Sequence, residues 1–230
     1  MRYGADDHVN DSYRDAGEIR WFLYWPEAPY WPDSAEAAGA LMAACIQQLD
    51  RWGVTKVYAD GTLPVPGVYR VPEQWPHVRT VYKRAGFVAE GPTEIVYVAR
   101  VDELPRTGES PLDGLVIRRS VGVNGTRLSA VLGDNVAGFI EVETQEDWGR
   151  LPRLGGLADI GNLHITKEYR RRGMATWLVG QAAEWLRLAQ VGRVLDYASP
   201  EQQECSAFLQ SVGFRELTRT QRGWVRSGCS

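Results

Sequence analysis

Apolar and polar positions follow two different rhythms along this chain, and their order predicts a mixed α/β protein. Ala175, Leu178, Val179, Ala182, Leu186 and Ala189 keep the i, i+3, i+4, i+7 spacing of one helical face. Ahead of that helix, Leu163 and Ile165 alternate with polar neighbours as strand residues do. After it, Arg193–Tyr197 reads as a strand and Glu201–Val212 as a short helix running into Gly213-Phe214. Upstream, Leu115–Arg118 predicts a strand. Thr126–Leu132 and Val136–Val142 predict a hairpin around Gly133-Asp134-Asn135.

The N-terminal half repeats part of this order. Residues 34–52 form a helical pattern with Leu41, Cys45, Leu49 and Trp52 on one side. Asp33 and Glu36 have the spacing of a capping box, which predicts the helix start. Strand-like Lys56–Ala59 follows, and then Val81-Tyr82-Lys83-Arg84-Ala85-Gly86-Phe87, parallel to Phe208–Phe214. The first copy is longer, and the proline-rich loop Gly61–Pro76 accommodates the excess. Residues 101–114, polar and broken by Pro105, Gly108 and Pro111, read as a boundary. The expected organisation is an N-terminal lobe over 1–104, a linker over 105–114 and a second domain over 115–230.

Composition narrows the function. A chain of 230 residues has ample material for a core, and a net charge of −3 gives no basic balance that would favour a nucleic-acid partner. Cys45, Cys205 and Cys229 are few, odd in number and far apart, so neither a disulfide framework nor a zinc site is expected. The first residues are polar, without an apolar signal segment, and the longest apolar stretch, around Ala37–Cys45, is too short to span a bilayer. The expectation is a cytoplasmic protein with no membrane partner and no metal.

Between the strand at Leu163–Ile165 and the helix that follows lies Arg170-Arg171-Arg172-Gly173-Met174-Ala175. Such a turn offers several backbone N–H groups at a helix N-terminus, where the macrodipole adds partial positive charge. Gly173 has no Cβ, so an anion can approach the main chain. The expected ligand is a phosphate or pyrophosphate. Strand, Arg-x-x-Gly-x-Ala and helix, in that order, resemble the acyl-CoA-binding motif of the GNAT N-acetyltransferase superfamily. Phe208-Leu209-Gln210-Ser211-Val212-Gly213-Phe214 resembles the later signature of the same family.

The resemblance implies a GNAT-like mixed twisted sheet flanked by helices, here in two related lobes as in tandem members of the superfamily. It implies acetyl-CoA as donor and an amine as acceptor, the primary amine of a small molecule first and a protein or peptide amine second. The pantetheine arm would pair with the backbone of Leu163, His164 and Ile165. The phosphates would meet Arg170, Arg171, Arg172, Gly173, Met174, Ala175 and Thr176, with Gln202 completing the set. At the matching place the first copy has Asp33-Ser34-Ala35-Glu36-Ala37-Ala38. With two carboxylates and no glycine, that turn should repel a phosphate, so the first lobe reads as degenerate. Because one chain already holds both lobes, a monomer suits this reading.

Acetyl transfer needs an acceptor for the amine proton and stabilisation of the developing oxyanion. Asp159 lies six residues before Ile165, the offset at which the histone-acetyltransferase branch places its carboxylate base, so the resemblance implies Asp159 as base. Its alternative reading is a strand-end carboxylate that orients the amine. His164 titrates in a useful range and is the second candidate. The tyrosine that often protonates the departing thiolate is replaced by Leu209, with Cys205 and Tyr197 as nearby stand-ins. That gap favours a different reading, a non-catalytic acyl-CoA-binding sensor. Residues 21–31 carry six aromatics, which read as a packed seam between lobes or as an acceptor pocket.

Overall fold

The computed structural model describes residues 2–3, 13–27, 30–59, 70–144, 156–221 and 223–227. The chain divides into two compact units, Met1–Glu94 with Thr218–Ser230, and Ile95–Leu217. Both ends of the sequence therefore belong to the first unit.

In the first unit, β1 (Ala16–Glu18), α1 (Ser34–Arg51) and β2 (Lys56–Tyr58) form a β-α-β arrangement whose two strands pair in parallel. Asp33 stands at the α1 N-cap without a side-chain cap hydrogen bond, so the predicted start holds while the predicted capping box does not form. The buried stripe is Ala38, Met42 and Leu49, flanked by the partly buried Cys45 and Ile46. Leu41 and Trp52, expected on that stripe, are 52% and 39% exposed. The apolar face is thus rotated away from Leu41, because Ala38, Met42, Cys45, Ile46 and Leu49 make a more continuous helical ridge.

The chain continues through β3 (Val71–Pro72), α2 (Pro76–Arg84) and β4 (Val88–Ala89). Pro76 opens α2, where its missing N–H costs nothing. At the other end Gly86 takes φ +83°, and the N–H of Phe87 donates to the carbonyl of Tyr82. This left-handed cap satisfies an end carbonyl and drives Phe87 into the core, where it is 2% exposed. The sheet of this unit has the order β1-β2-β12-β4, in which β12 is Trp224–Ser227 from the far end of the chain. Trp224 is 1% exposed and meets Tyr82 edge-on. Most of the predicted loop Gly61–Pro76 lies outside the described residues.

In the second unit, β5 (Thr93–Arg100) is followed by the meander β6 (Leu115–Val121), β7 (Thr126–Leu132), β8 (Asn135–Thr144) and β9 (Leu157–Ile165). The predicted hairpin forms with a two-residue turn, Gly133-Asp134, since Asn135 already pairs with Leu132. Then come α3 (Met174–Leu188), β10 (Arg193–Ala198), α4 (Gln203–Ser211) and β11 (Arg215–Gln221). Strands β5 and β11 each run across the division between the units. Here the strand order is β11-β5-β10-β9-β8-β7-β6, with β9 and β10 parallel and β5 antiparallel to β10.

Met174, Leu178, Val179, Ala182, Ala183 and Leu186 of α3 form the buried face predicted from their spacing. Burial of a leucine such as Leu178 is worth about 1.5–3 kcal/mol. α4 ends as α2 does: Gly213 takes φ +104°, and the N–H of Phe214 donates to the carbonyl of Leu209. Glu141 is fully buried, yet its carboxyl is held below the ordinary range. Burial alone would raise it. The Arg127 guanidinium at 2.6 Å and the N–H of Val123 outweigh that cost, pinning the β6–β7 turn to β8.

Candidate active site

The central feature of the second unit is a place where two parallel strands part company. β9 pairs with β10 only over Leu157–Asp159, opposite Arg193–Leu195. Beyond Asp159, β9 goes on to Ile165 with β8 as its strand partner, while β10 goes on to Ala198 against β5. Peptide groups along one edge of Ile160–Ile165 are thereby left to a ligand or to water, since a strand edge without a neighbour keeps its donors and acceptors. An extended chain bearing amides can pair there. Leu163 and Ile165 are partly buried against the core, and His164 is exposed.

The turn after β9 is tied down before α3 begins. Thr166 donates through its N–H to the carbonyl of Ala137 at 2.9 Å and through its hydroxyl to that of Val136 at 3.1 Å. Lys167–Tyr169 make one 3-10 turn, and Arg170 Nε donates back to the carbonyl of Ile165 at 3.0 Å. Arg171 and Gly173 both lie in the left-handed region, at φ +61° and +77°. Such alternation tilts successive N–H groups toward one side, a concavity suited to anions. Gly173 is the N-cap of α3 and no acidic residue occupies the first helical turn. Among the described residues a Cβ built at Gly173 would meet only Pro111, at 4.0 Å, so on their side the approach to its backbone is open.

Met174 is 1% exposed and anchors the helix start, whereas Thr176 and the side chains of Arg170, Arg171 and Arg172 are exposed. Arg171 reaches Glu204 at the beginning of α4, a solvent-exposed pair at 3.3 Å. Gln202, just before α4, accepts a hydrogen bond from the N–H of Ser199 at 2.9 Å and remains exposed. The expected donor-binding residues thus gather around the end of β9 and the starts of α3 and α4. A phosphate-bearing ligand fits this set.

Asp159 is the last residue of the paired stretch and is partly exposed. His164 lies five residues further along β9, roughly 16 Å at the rise of a strand. Its ring packs on Phe139 at 5.7 Å, and Phe139 in turn carries Arg127 over its face at 4.2 Å. The two candidate bases are therefore far apart along the strand. Sequence reasoning overlooked Asp196, the residue following Leu195 on β10. Burial, reinforced by the charge of Asp159, pushes its carboxyl up to about 7, although the N–H of Tyr197 donates to it at 2.7 Å. An aspartate in the otherwise apolar segment Val194–Ala198 was the available signal. Burial and the nearby Asp196 charge also raise the Cys205 thiol on α4, so it stays protonated at neutral pH. Leu209, standing where the family often has a tyrosine, is 1% exposed.

The Acetyltransferase (GNAT) family matches residues 95–214, more than half of the chain. This chain belongs to the GNAT family. Its sheet and helices are those of GNAT folds, and the match covers β5 through Phe214. Among solved structures, a tandem GNAT protein from the clavulanic acid biosynthesis pathway superposes with a TM-score of 0.61 at 15% identity, covering 94% of this chain and 76% of that one. A GCN5-related glucosamine N-acetyltransferase region of a fungal multi-domain GH3 β-N-acetylglucosaminidase gives 0.56 at 11% identity, with 89% of this chain and 29% of that one covered. A GCN5-related N-acetyltransferase from Sphaerobacter thermophilus gives 0.52 at 13% identity, covering 78% and 66%. This chain therefore spans less than two thirds of the length of two of these three. No curated protein matches the sequence.

Two further expectations concern the GNAT chain as a whole. Among the described residues no helix is long and apolar enough to cross a membrane, and no group of three or more His, Cys, Asp or Glu is arranged to hold a metal. The aromatic segment at 21–31 divides. Phe22 is buried against Tyr82, while Trp21, Trp25, Tyr30 and Trp31 are exposed. In the first unit Tyr24 and Trp25 line a cavity of about 640 Å³ together with Glu27, Trp75 and His77.

Proposed function

We propose that this GNAT protein moves an acetyl group from acetyl-CoA to a primary amine, that of a small molecule in first place and of a peptide or protein in second. The observation that carries this reading is the parting of β9 and β10 at Asp159, set beside a helix start with no acid in its first turn. The strand edge supports an amide-bearing pantetheine arm, and the α3 N-terminus supports its phosphates. Backbone of Leu163, His164 and Ile165 serves the arm, and Arg170–Thr176 with Gln202 serve the nucleotide end. A residue of β9 takes the amine proton, Asp159 at the point of parting being the first candidate and His164, further along the strand, the second.

The first unit reads as a degenerate second copy. Its order β1-β2-β12-β4 repeats the order β9-β10-β5-β11 of the second unit, and in each the third strand comes from the end of the other half's sequence. In this reading the two copies exchange their last strands, β5 and β12. A sensor that binds acyl-CoA without turning it over is the second reading, favoured by Leu209. The test is release of free CoA thiol from acetyl-CoA in the presence of an alkylamine, a polyamine, an arylethylamine and a lysine peptide. Amine-dependent thiol release supports the transferase. CoA binding with no release for any amine leaves the sensor.

A further inference from the structure

We propose that the aromatic cavity of the first unit is a binding site for a small organic cation, a substituted or quaternary ammonium free in solution. The proposal goes beyond the transferase reading and does not depend on it.

The order of elements places a ligand here. β1 and β2 pair in parallel over Ala16–Glu18 and Lys56–Tyr58, with α1 between them in the chain. One wall of the cavity, Leu23–Glu27, belongs to the connection from β1 to α1, and the other, Gln74–Val78, leads into α2. Ligands of open α/β sheets gather in such crevices, outside the carboxyl ends of parallel strands. In the second unit the expected donor-binding residues stand at the corresponding place, the end of β9 and the starts of α3 and α4.

Both walls are held by contacts of their own. Phe22 is 4% exposed and packs against Tyr24 and Tyr82, with ring centroids 6.0 and 5.9 Å away. Further along that connection the Ser34 hydroxyl donates to the carbonyl of Pro26 at 3.2 Å. On the second wall the N–H of Trp75 donates to the carbonyl of Pro72 at 3.0 Å, and Trp75 caps α2. The walls meet where the His77 ring stands edge-on to Tyr24 at 4.9 Å, with Trp75 6.4 Å from His77. Leu23 and Trp25, also on the lining, are 42% and 73% exposed. Large apolar side chains left to water around a concavity mark a ligand site. The volume, about 640 Å³, is that of a small-molecule pocket.

The chemistry of the lining selects the charge of the ligand. Tyr24, Trp25 and Trp75 offer π faces, whose quadrupole attracts a cation, tryptophan most strongly. The described lining has one acidic residue, Glu27, and no lysine or arginine. Arg79, two residues beyond His77, reaches Gln221 at 3.2 Å instead. The start of α2 also borders the cavity, but a helix end carries about half an elementary charge, less than one carboxylate. An anion would meet Glu27 and ring faces of its own sign. A neutral ligand covering Glu27 would strip water from the carboxylate without supplying a partner. A substituted ammonium satisfies both features, its methyl or aryl groups against the rings and its charge beside Glu27.

The test titrates the full chain, without acetyl-CoA, with choline, benzyltrimethylammonium, the uncharged choline isostere 3,3-dimethylbutan-1-ol and the anion 3,3-dimethylbutanoate. Calorimetry and tryptophan fluorescence are the readouts. Both cations should bind at one site per chain, and choline at least about tenfold more tightly than the isostere or the anion. Glu27→Gln keeps the shape and removes the charge, so it should weaken choline by about three- to tenfold and leave the isostere unchanged. Trp25→Ala should weaken both cations and reduce the fluorescence change. Glu27 and Trp25 are exposed, so both variants should keep the wild-type thermal midpoint. Failure of both cations to bind, or equal affinity for choline and its isostere, overturns the proposal. Cation binding unchanged in both variants places the site elsewhere and overturns it as well. A trimethyllysine peptide or phosphatidylcholine vesicles bound more than about tenfold more tightly than the free cations overturns the assignment to a small molecule. Because no arm contains acetyl-CoA, each result stands apart from the transferase reading.

Discussion

α1 and α3 occupy the same position in the same kind of arrangement, each joining two strands that pair in parallel. Their N-termini are opposite in character. α3 starts from Gly173 at φ +77°, follows three arginines and has no acid in its first turn. α1 starts from Asp33, carries Glu36 in its first turn and uses the Ser34 hydroxyl to bond the carbonyl of Pro26. A helix dipole alone does not make a phosphate site. Both helices have one, so the side chains and the freedom of the capping residue decide what anion, if any, can approach.

The largest expected effect tests how far the first arrangement depends on the distant strand inserted beside β2. Trp224→Ala removes the largest fully buried side chain among the described residues and should cost about 3–5 kcal/mol, read as a fall in denaturant midpoint. A loss below about 1 kcal/mol would mean that β12 contributes little to the first unit.

Next comes the turn at α3. Gly173→Asp brings a charge to the helix start and should weaken CoA binding at least tenfold, about 1.4 kcal/mol by calorimetry. The same titration of wild type should give one CoA per chain. A second CoA that persists in Gly173→Asp would break the contrast between the two helix starts.

The smallest effect concerns Glu204, which holds Arg171 in an exposed pair. Glu204→Gln releases that arginine and should tighten CoA binding by about two- to threefold at low salt, with the gain fading as salt rises. Thermal stability should not change measurably, as expected for an ion pair in water. An affinity gain that persists at high salt would point to something other than screened charge.

Legibility in the sequence followed the range of the interactions. The α3 stripe from Leu178 to Leu186 was plain because 3.6-residue periodicity is local, and the end of α4 at Gly213-Phe214 was plain because it is a turn of the chain on itself. Leu41 and Trp52 were misplaced, since which of several apolar ridges on α1 is buried depends on neighbours distant in sequence. Asp33 looked like a side-chain cap from its spacing, but spacing does not fix a rotamer. Asp196 passed unnoticed as one polar residue in a strand, because burial and an aspartate on the adjacent strand give it its character.

By itself the sequence determined α1, α3 and α4, the hairpin of β7 and β8, the strands β2, β6 and β10, and the turn at Arg170–Ala175, for these rest on residues near one another along the chain. Tertiary structure alone decided that β12 closes the first sheet beside β2, that β5 lies between β10 and β11, and that β9 and β10 part beyond Asp159. Strand neighbours are chosen by hydrogen-bond ladders and core packing between distant segments. Backbone groups are alike at every residue and carry no label for their partner, so no local pattern can announce that choice.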